Sequence, residues 1–409
     1  MHIIRLLAVA ALVAGAGFWG GCVPMDYDAD GKSDLAVYDH MQARWFIYSA
    51  TNTTLAWNVN WGFAGCVPVS GNFGNGAGGD LAVYDEARGE WWAMTLQGVS
   101  VLAATKCGGG GYWPVMGMYD LSGAANPAVY GMSSGCWLIR TNTSIRLVNW
   151  GYSGCIPVPG DYNGDRLSDF AVYDTRNARW YILGNTNDVV LGMGINWGFE
   201  GCIPVSGDYN NDGVFDLAVY DPVTSKWFIR DMAGNALLWN ASWGFAGGVP
   251  VPGDFNNGGS DLAIYDYNTG RWFIRDLAGN AIAWNKAWGY KGAWPVTAGP
   301  MTALNVTGTW TLNSVVMGEP QSTTFTLVQN GSYITGSLDA GSEGTLEIVG
   351  AMYGDMMRLS IFVGPGAGPA LDPPEVSIGM VLTGTVSGNT LTGTLRQIHG
   401  MYDVTAVRN

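Results

Sequence analysis

Histidine, charge and long apolar runs are all scarce in this chain of 409 residues. Its three histidines, His2, His40 and His399, leave almost no material for a histidine-dependent catalytic triad or a histidine-based zinc site. Charged residues are 13% of the chain and the formal net charge is -14, which argues against nucleic acid or an anionic membrane surface as a partner. After the N-terminus, no apolar run reaches the ~18 residues that a membrane-spanning helix needs.

Motifs that mark an active site are absent too. The sequence has no Gly-x-Ser-x-Gly elbow, no phosphate-binding loop and no His-Glu-x-x-His zinc motif. Aspartate recurs at fixed positions of a repeat, where a structural role explains it better than single-site catalysis. No catalytic residue is therefore predicted, although a pair of distant carboxylates, as in glycosidases, is not visible in a sequence.

The N-terminus is typical of an export signal, which we predict over residues 1–16. A positive start ending at Arg5 precedes an apolar core at 6–13 and small residues at 14–16. The mature protein is expected to be secreted or on the cell surface, with no transmembrane segment. Lipid anchoring at Cys22 is an alternative, although Trp19 stands where lipoprotein signals usually carry leucine.

The six cysteines leave two interpretations open, disulfides or small buried thiols. Cys107 and Cys136 lie in one repeat and form a possible pair. The other four occupy equivalent positions of different repeats, where Cα atoms can lie farther apart than the ~7 Å that a disulfide spans. These four are Cys22, Cys66, Cys155 and Cys202.

A repeat of about 45 residues dominates the chain. Its strand motif resembles Asp-Leu-Ala-Val-Tyr and occurs at 34–38, 80–84, 126–130, 169–173, 216–220 and 261–265. Turn residues divide each unit into four short strands, which is typical of antiparallel propeller blades. We therefore predict an all-β fold, with a β-propeller of about six four-stranded blades over residues 17–298. Trp294-Pro295-Val296 repeats the start of a unit and is expected to close the ring near Val23.

The composition changes after the repeats. Only Trp310 of the 19 tryptophans lies beyond Trp294. Residues 303–409 are rich in Thr, Gly and Val and contain alternating segments such as 307–312 and 390–395. This pattern predicts a second domain, a small antiparallel β-barrel or sandwich of about eight strands.

Three repeats contain a nine-residue loop with oxygen side chains at positions 1, 3, 5 and 9. Calcium prefers six to eight hard oxygen ligands, and such side chains can converge on one cation around a glycine at position 6. Arg166 replaces that glycine in the fourth unit, and a metal-free Asx-turn loop is the alternative. We predict about three structural Ca2+ sites, with the following ligands: Asp26, Asp28, Asp30 and Asp34; Asp161, Asn163, Asp165 and Asp169; Asp208, Asn210, Asp212 and Asp216.

The segment 204–219, which contains one of these loops, resembles an FG-GAP repeat, also grouped with VCBS repeats. The resemblance extends over about residues 22–296. It implies a propeller like those of integrin α-subunits, with the first, fourth and fifth loops at one face, each holding a structural calcium. Integrin propellers have seven blades, whereas six units are present here. The segments 307–310 and 391–394 resemble calycin barrels such as avidin and lipocalins, which implies a barrel but no ligand.

Tryptophan recurs in two slots, one containing Trp45 and the other Trp61. Packing between blades explains such regularity better than a ring of sugar-stacking platforms, because the period gives each copy the same surroundings. Aromatic residues that break the pattern are better candidates for ligand contacts. We predict ligand binding by Trp92, Tyr112, Trp113, Tyr290 and Trp294.

Together these patterns predict an exported, calcium-binding, non-catalytic protein for ligand binding or adhesion. It would recognise glycans or proteins through a propeller face. One alternative is a carbohydrate-processing enzyme, or an accessory module of one, with unrecognised carboxylates. Another is a structural protein of an envelope or matrix.

Overall fold

The computed structural model describes residues 23–409 except 41, 64–65, 75, 133, 153, 187, 246–247, 292, 297–300, 303–305, 317–318, 331–332, 340–344, 355, 363–377 and 398–399. The predicted export signal at 1–16 and the candidate anchor Cys22 lie outside the described residues. Among those that are described, no helix has the length and apolar character needed to cross a membrane.

Six four-stranded antiparallel sheets form the blades of a β-propeller ring. Their strands are β1 (Leu35–Asp39), β2 (Arg44–Tyr48), β3 (Thr54–Asn60), β4 (Val67–Val69), β5 (Leu81–Asp85), β6 (Glu90–Met94), β7 (Ser100–Lys106), β8 (Tyr112–Pro114), β9 (Ala128–Gly131), β10 (Cys136–Arg140), β11 (Ile145–Asn149), β12 (Cys155–Pro157), β13 (Phe170–Asp174), β14 (Arg179–Leu183), β15 (Val190–Asn196), β16 (Ile203–Pro204), β17 (Leu217–Asp221), β18 (Lys226–Arg230), β19 (Ala236–Ser242), β20 (Gly248–Pro250), β21 (Leu262–Asp266), β22 (Arg271–Arg275), β23 (Ala281–Ala287) and β24 (Trp294–Pro295). Blade 1 contains β24 and β1–β3, and blades 2 to 6 each take the next four strands from β4 onward.

The last propeller strand completes the first blade. Strand β24 pairs with β1, with Trp294 opposite Tyr38 and Pro295 opposite Val37. The prediction that 294–296 closes the ring is confirmed. The blade number of six, which the sequence period indicated, is confirmed as well.

A tyrosine and a tryptophan form the core of every blade. The second-strand tyrosine packs against the third-strand tryptophan with ring centroids about 5 Å apart, and each of these indoles is fully buried. Each indole N–H donates to a backbone carbonyl of the connection that leads to the next blade. The six donors are Trp45, Trp91, Trp137, Trp180, Trp227 and Trp272. The packing interpretation of this tryptophan slot is therefore confirmed.

The second tryptophan slot joins neighbouring blades. The indole N–H groups of Trp150 and Trp197 donate to the carbonyls of Tyr181 and Phe228, which belong to the next blade. Trp288 makes the same bond across the closure of the ring, to the carbonyl of Phe46. Packing between blades thus explains this slot too.

The C-terminal segment folds into one further sheet. Its strands are β25 (Met301–Thr302), β26 (Gly308–Val316), β27 (Glu319–Asn330), β28 (Tyr333–Asp339), β29 (Thr345–Gly354), β30 (Met356–Phe362), β31 (Ile378–Ser387), β32 (Thr390–Gln397) and β33 (Gly400–Arg408). They pair in the order β25-β29-β28-β27-β26-β33-β32-β31-β30, and β29 pairs with β30 as well. Apolar side chains from this sheet, among them Trp310, Phe325 and Leu359, form a core of their own.

The five described cysteines, Cys66, Cys107, Cys136, Cys155 and Cys202, are buried, and the last four are free thiols. Of the two interpretations that the sequence left open, the structure therefore has the buried thiol at Cys107, Cys136, Cys155 and Cys202. Burial raises the pKa of the Cys107, Cys155 and Cys202 thiols to about 12. These thiols are accordingly protonated and contribute to the core as small apolar side chains.

Replacing Trp294 by alanine tests the closure of the ring. Its side chain is 4% exposed and stacks on His40, with ring centroids 4.4 Å apart, so we expect Trp294→Ala to lower the free energy of unfolding by about 3–5 kcal/mol. The matched control is Trp284→Ala, because that indole is on the outer strand of blade 6 and is 69% exposed. The control should change stability by less than about 0.5 kcal/mol in urea unfolding. Equal losses in the two variants would contradict the closure described here.

Candidate functional site

The aspartate loops lie at one end of the propeller. In blades 2 to 6 the loop connects the first and second strands, and in blade 1 it leads into the second strand, β1. Connections between antiparallel strands alternate between the two ends of a sheet. The turn between the third and fourth strands therefore shares the end of the loops, which we call the loop face. The turn between the second and third strands, and the connection to the next blade, lie at the opposite end, which we call the connection face.

The three predicted calcium loops have the same internal hydrogen bonds. In the first loop, the Asp30 N–H donates to carboxylate oxygens of both Asp26 and Asp28, and the Gly31 N–H donates to the second oxygen of Asp26. The equivalent bonds recur in the other two loops, at distances of 2.6–3.2 Å. Oxygens at positions 1 and 3 therefore converge in each loop.

Arg166 adopts the backbone conformation that the glycine has in the other two loops. Its φ is +71°, compared with +84° for Gly31 and +87° for Gly213. A side chain makes this left-handed conformation less favourable, by about 1–2 kcal/mol, but does not prevent it. The fourth loop consequently has the same shape as the other two despite its substitution.

The first loop brings three carboxylates together. One oxygen each from Asp26, Asp28 and Asp34 lies within 4.8 Å of the others. Burial raises the pKa of Asp34 to about 7 and also raises that of Asp26. Burying several anions is unfavourable unless a cation neutralises them, and carboxylate oxygens are the ligands that Ca2+ prefers. The residues of this loop therefore fit a calcium ion.

The fourth and fifth loops have an asparagine at position 3, which lowers the negative charge of each by one. Burial raises the pKa of Asp216 to about 7 and that of Asp169 to about 6. Asn210 donates to Asp212, and Asn163 donates to Asp169, so each amide contacts a carboxylate of its own loop. The set of oxygen donors again suits a hard divalent cation.

Position 9 has a second role that all six loops share. Its side-chain oxygen accepts the N–H of the aromatic residue at position 2, at 2.7–2.9 Å, whether or not the loop keeps the other acidic residues. In the third loop the acceptor is the amide of Asn126, bound by Tyr119, so the bond needs no charge. The position-9 side chains are Asp34, Asp80, Asn126, Asp169 and Asp216, and Asp261 is the equivalent residue of the sixth loop, which is one residue shorter.

Backbone hydrogen bonds also connect each loop to the next around the ring. The residue that precedes position 9 donates its N–H to the carbonyl of position 1 in the preceding loop, at 2.5–2.7 Å. The donor and acceptor pairs are Gly79–Asp26, Ala125–Asn72, Ser168–Met118, Phe215–Asp161, Ser260–Asp208 and Ser33–Asp254. The last pair joins blade 1 to blade 6, so this loop belt is continuous.

The predicted ligand-binding aromatics are dispersed over the propeller. Trp92 is on blade 2, and Tyr112 and Trp113 are half-buried on the first strand of blade 3. Trp294 is 4% exposed, which leaves it little surface for a ligand, whereas Tyr290 is 39% exposed. The hydroxyl of Tyr290 donates to Asp39 of blade 1 at 2.6 Å, which fixes the ring at the connection face.

Sequence reasoning missed two features of these aromatics. Trp92 occupies the middle of its strand, the position that Phe46, Phe228 and Phe273 hold in other blades, so it does not break the repeat. The connections, in contrast, place aromatic side chains at equivalent points of the connection face. Among these, Tyr152 is 36% and Phe199 is 43% exposed. The recurring Trp-Gly-Phe or Trp-Gly-Tyr sequence was the signal that marked them.

Comparisons with known proteins give distant similarities only. No protein-family model matches the sequence, and no curated protein does. A Trp-to-Ala variant of transferrin binding protein B from Haemophilus parasuis is similar at a TM-score of 0.18 and 10% identity. The similarity covers 69% of this chain and 65% of that protein's chain, so this chain spans slightly less than two thirds of its length. Apo AztD from Citrobacter koseri is similar at a TM-score of 0.23 and 11% identity, over 91% and 97% of the two chains. Transferrin binding protein B from serogroup B Neisseria meningitidis is similar at a TM-score of 0.18 and 12% identity. The similarity covers 92% of this chain and 87% of that chain. TM-scores this low carry no argument, so the propeller rests on this chain's own strand pairings.

The sixth loop allows a pH test of the position-9 carboxylate. Burial raises the pKa of Asp261 from 3.8 to about 8, so the folded protein binds this proton more tightly than the unfolded chain. The contribution of this carboxyl to the free energy of unfolding is fully present below about pH 4 and is lost as the pH rises through about 8. Asp261→Asn should therefore raise the melting temperature at pH 8 in EDTA, with the difference disappearing toward pH 4.

Asp276→Asn is the control in the same blade. Burial raises the pKa of Asp276, but hydrogen bonds from Asn280 outweigh it and the net direction is down. The control should therefore not stabilise the protein at pH 8. If Asp261→Asn lowered the melting temperature at pH 8, the assignment of a buried, hydrogen-bonding carboxyl would be wrong.

Proposed function

We propose that this chain is an exported, calcium-stabilised, non-catalytic protein for ligand binding or adhesion, which recognises glycans or proteins through the connection face. The observation that carries this proposal is the set of exposed aromatic residues on that face, Tyr152, Phe199 and Tyr290. Rigid, partly exposed aromatic side chains give contact area to a ligand at low entropic cost. The phenol groups of Tyr152 and Tyr290 are fixed by hydrogen bonds to Asp174 and Asp39, both at 2.6 Å.

The role of calcium in this proposal is structural. Three ions would bind the first, fourth and fifth loops, in agreement with the FG-GAP and VCBS resemblance. Each ion would neutralise carboxylates whose pKa is raised by burial, as at Asp34 and Asp216. Through the loop belt, each ion would also stabilise the contact with the neighbouring blade.

The C-terminal domain is proposed to be a small calycin-like barrel. Eight of its strands pair in series from β29 to β30, and the further pairing of β29 with β30 supports closure. No ligand is proposed for this domain. Export, with the protein secreted or on the cell surface, remains part of the proposal, and anchoring through Cys22 remains an alternative to free secretion.

The roles of the carboxylates favour binding over catalysis. Position-9 side chains hold the loops, and the aspartates that follow the second strands accept N–H groups of their own turns, as Asp39, Asp221 and Asp266 do. Arg176 forms an ion pair with Asp174 at 3.1 Å. Each of these groups has a structural partner in the fold. Turnover of a polysaccharide that one Asp or Glu substitution abolishes would favour the enzyme alternative instead.

Metal analysis tests the calcium proposal. We expect about three calcium ions per chain, and Asp212→Ala should remove one while the others remain, because it deletes a ligand of the fifth loop only. Excess EDTA should lower the melting temperature by several degrees, since a ligand that binds only the folded state stabilises it. The control is Asp120→Ala, which removes the same kind of side chain from the eroded third loop and should leave the metal count unchanged. An unchanged count in Asp212→Ala would place the fifth site elsewhere.

Binding measurements test the proposed role of the connection face. The full mature chain would be screened against glycan and protein arrays, and Phe199→Ala should weaken binding of the ligand found by about tenfold, since it removes a solvent-facing anchor. Val223→Ala is the control, because Val223 is 81% exposed in the turn between β17 and β18 on the same face. Absence of any ligand, or equal affinity of Phe199→Ala and the wild type, would contradict this function.

A further inference from the structure

A second aromatic surface lies on the outer edge of the ring. The outermost strands of blades 1, 5 and 6 each carry a tryptophan at the same position, and these indoles are 67–69% exposed. They are Trp57, Trp239 and Trp284. Because β24 closes the ring, blades 5, 6 and 1 are consecutive, so the three rim indoles occupy one continuous arc.

Each rim indole is held by two other aromatic rings. Trp239 packs edge-on against Phe228 of its own blade at 5.2 Å and against Trp197 of the preceding blade at 5.4 Å. Trp57 and Trp284 have the equivalent pairs of neighbours, at 5.3–5.7 Å. These contacts fix the orientation of an otherwise exposed ring, so a ligand that stacks on it has little conformational entropy to remove.

The fold itself does not require these indoles. Blade 2 has Ala103 at this position, yet its third and fourth strands pair with the same register and the same bulge as in blade 1. Blade 4 has Met193, which is 69% exposed. Single exposed apolar residues are ordinary, but one residue type, repeated on three consecutive blades with the same aromatic support, indicates a shared surface.

Polar groups surround the rim indoles. Each is followed by an asparagine with an exposed side chain, namely Asn58, Asn240 and Asn285. Arg230 lies over Trp197 at 5.7 Å, and Trp197 contacts Trp239. Arg275 lies over Trp243 at 5.1 Å, and Trp243 contacts Trp284. Lys286 lies at 3.9 Å over Tyr48 of blade 1, which also holds Trp57. An apolar protein partner would suit such isolated rings poorly, whereas a sugar needs a flat apolar face flanked by hydrogen-bonding groups.

We propose that the three rim indoles are binding sites for a pyranose polymer, with one sugar ring stacked on each. The C–H face of the sugar contacts the exposed side of the indole, and the neighbouring asparagine amide and cation bind hydroxyl or carboxylate oxygens. Three sites on consecutive blades match a chain of repeating units and strengthen binding through avidity. This inference rests on the ligand-binding function proposed above and adds a glycan-binding surface on the rim to the surface proposed on the connection face.

The test is affinity electrophoresis and calorimetry of the full mature chain with laminarin, a neutral glucan, and with polygalacturonate, a uronate polymer. A single Trp→Ala substitution should weaken binding severalfold, and the combination of Trp57→Ala, Trp239→Ala and Trp284→Ala should weaken it by about 100-fold or more. Met193→Ala is the control, because it removes an equally exposed apolar side chain at the same strand position. Arg230→Gln with Arg275→Gln should reduce binding of polygalacturonate only, which separates acidic from neutral ligands.

Melting curves should be the same for all these variants, which shows that a loss of binding is not a loss of folding. Equal affinity of the triple variant and the wild type would overturn the rim proposal, as would failure of the wild type to bind either polymer. A ligand whose binding is lost in Phe199→Ala but not in the triple variant would overturn it too, while leaving the proposed function intact. Loss of a protein ligand, instead of a polysaccharide, in the triple variant would also contradict it.

Discussion

The loop belt is the constraint on which the rest of this propeller depends. A four-stranded blade is apolar on both faces, so it is stable only when neighbouring blades cover it. Side-chain packing brings blades together but is tolerant of small displacements, whereas a backbone hydrogen bond fixes distance and direction. The bonds from Gly79 to Asp26 and from Ser33 to Asp254 are two members of one closed series, so each loop position is set by both of its neighbours.

This arrangement explains why the aspartate loops differ in composition. Position 9 accepts the N–H of position 2 in every blade, including the third, where Asn126 stands in place of an aspartate. Positions 1, 3 and 5 do not accept this bond and differ between the loops, as Gly74 and Gly76 in the second loop illustrate. The part of the loop that supports the backbone is therefore present in all six blades, and the part that suits a cation is complete in three. Asx-turn geometry and a set of oxygens that suits a cation, which appear as alternatives in the sequence, therefore occur together in one loop.

Much of the propeller could be predicted from the sequence because the period is so regular. The spacing of the strand motifs gave the blade number, and the repeated Trp294-Pro295 start indicated the closing strand. Exposure was harder to predict, since Trp45 and Trp57 belong to one unit, yet one is fully buried and the other is 67% exposed. Strand alternation places two neighbouring residues on opposite faces, and a bulge, such as that near Asn58, shifts this alternation. In the sequence Trp92 breaks the pattern because it follows Trp91, which is the member of the buried slot in blade 2.

The two ends and the rim of the ring differ in chemistry for a physical reason. At the loop face, backbone N–H groups donate hydrogen bonds to the carboxylates. Few donors are then left for a ligand, whereas the carboxylate oxygens suit a cation. At the connection face, the tight turn after each second-slot tryptophan holds a left-handed glycine, such as Gly198, whose added Cβ would lie 2.6 Å from the Tyr173 hydroxyl. The aromatic side chain that follows this glycine is partly exposed, as Phe199 is at 43%. The interactions that hold the ring together thus determine which side chains are left facing solvent, and the surfaces available for recognition are a consequence of how the blades are joined.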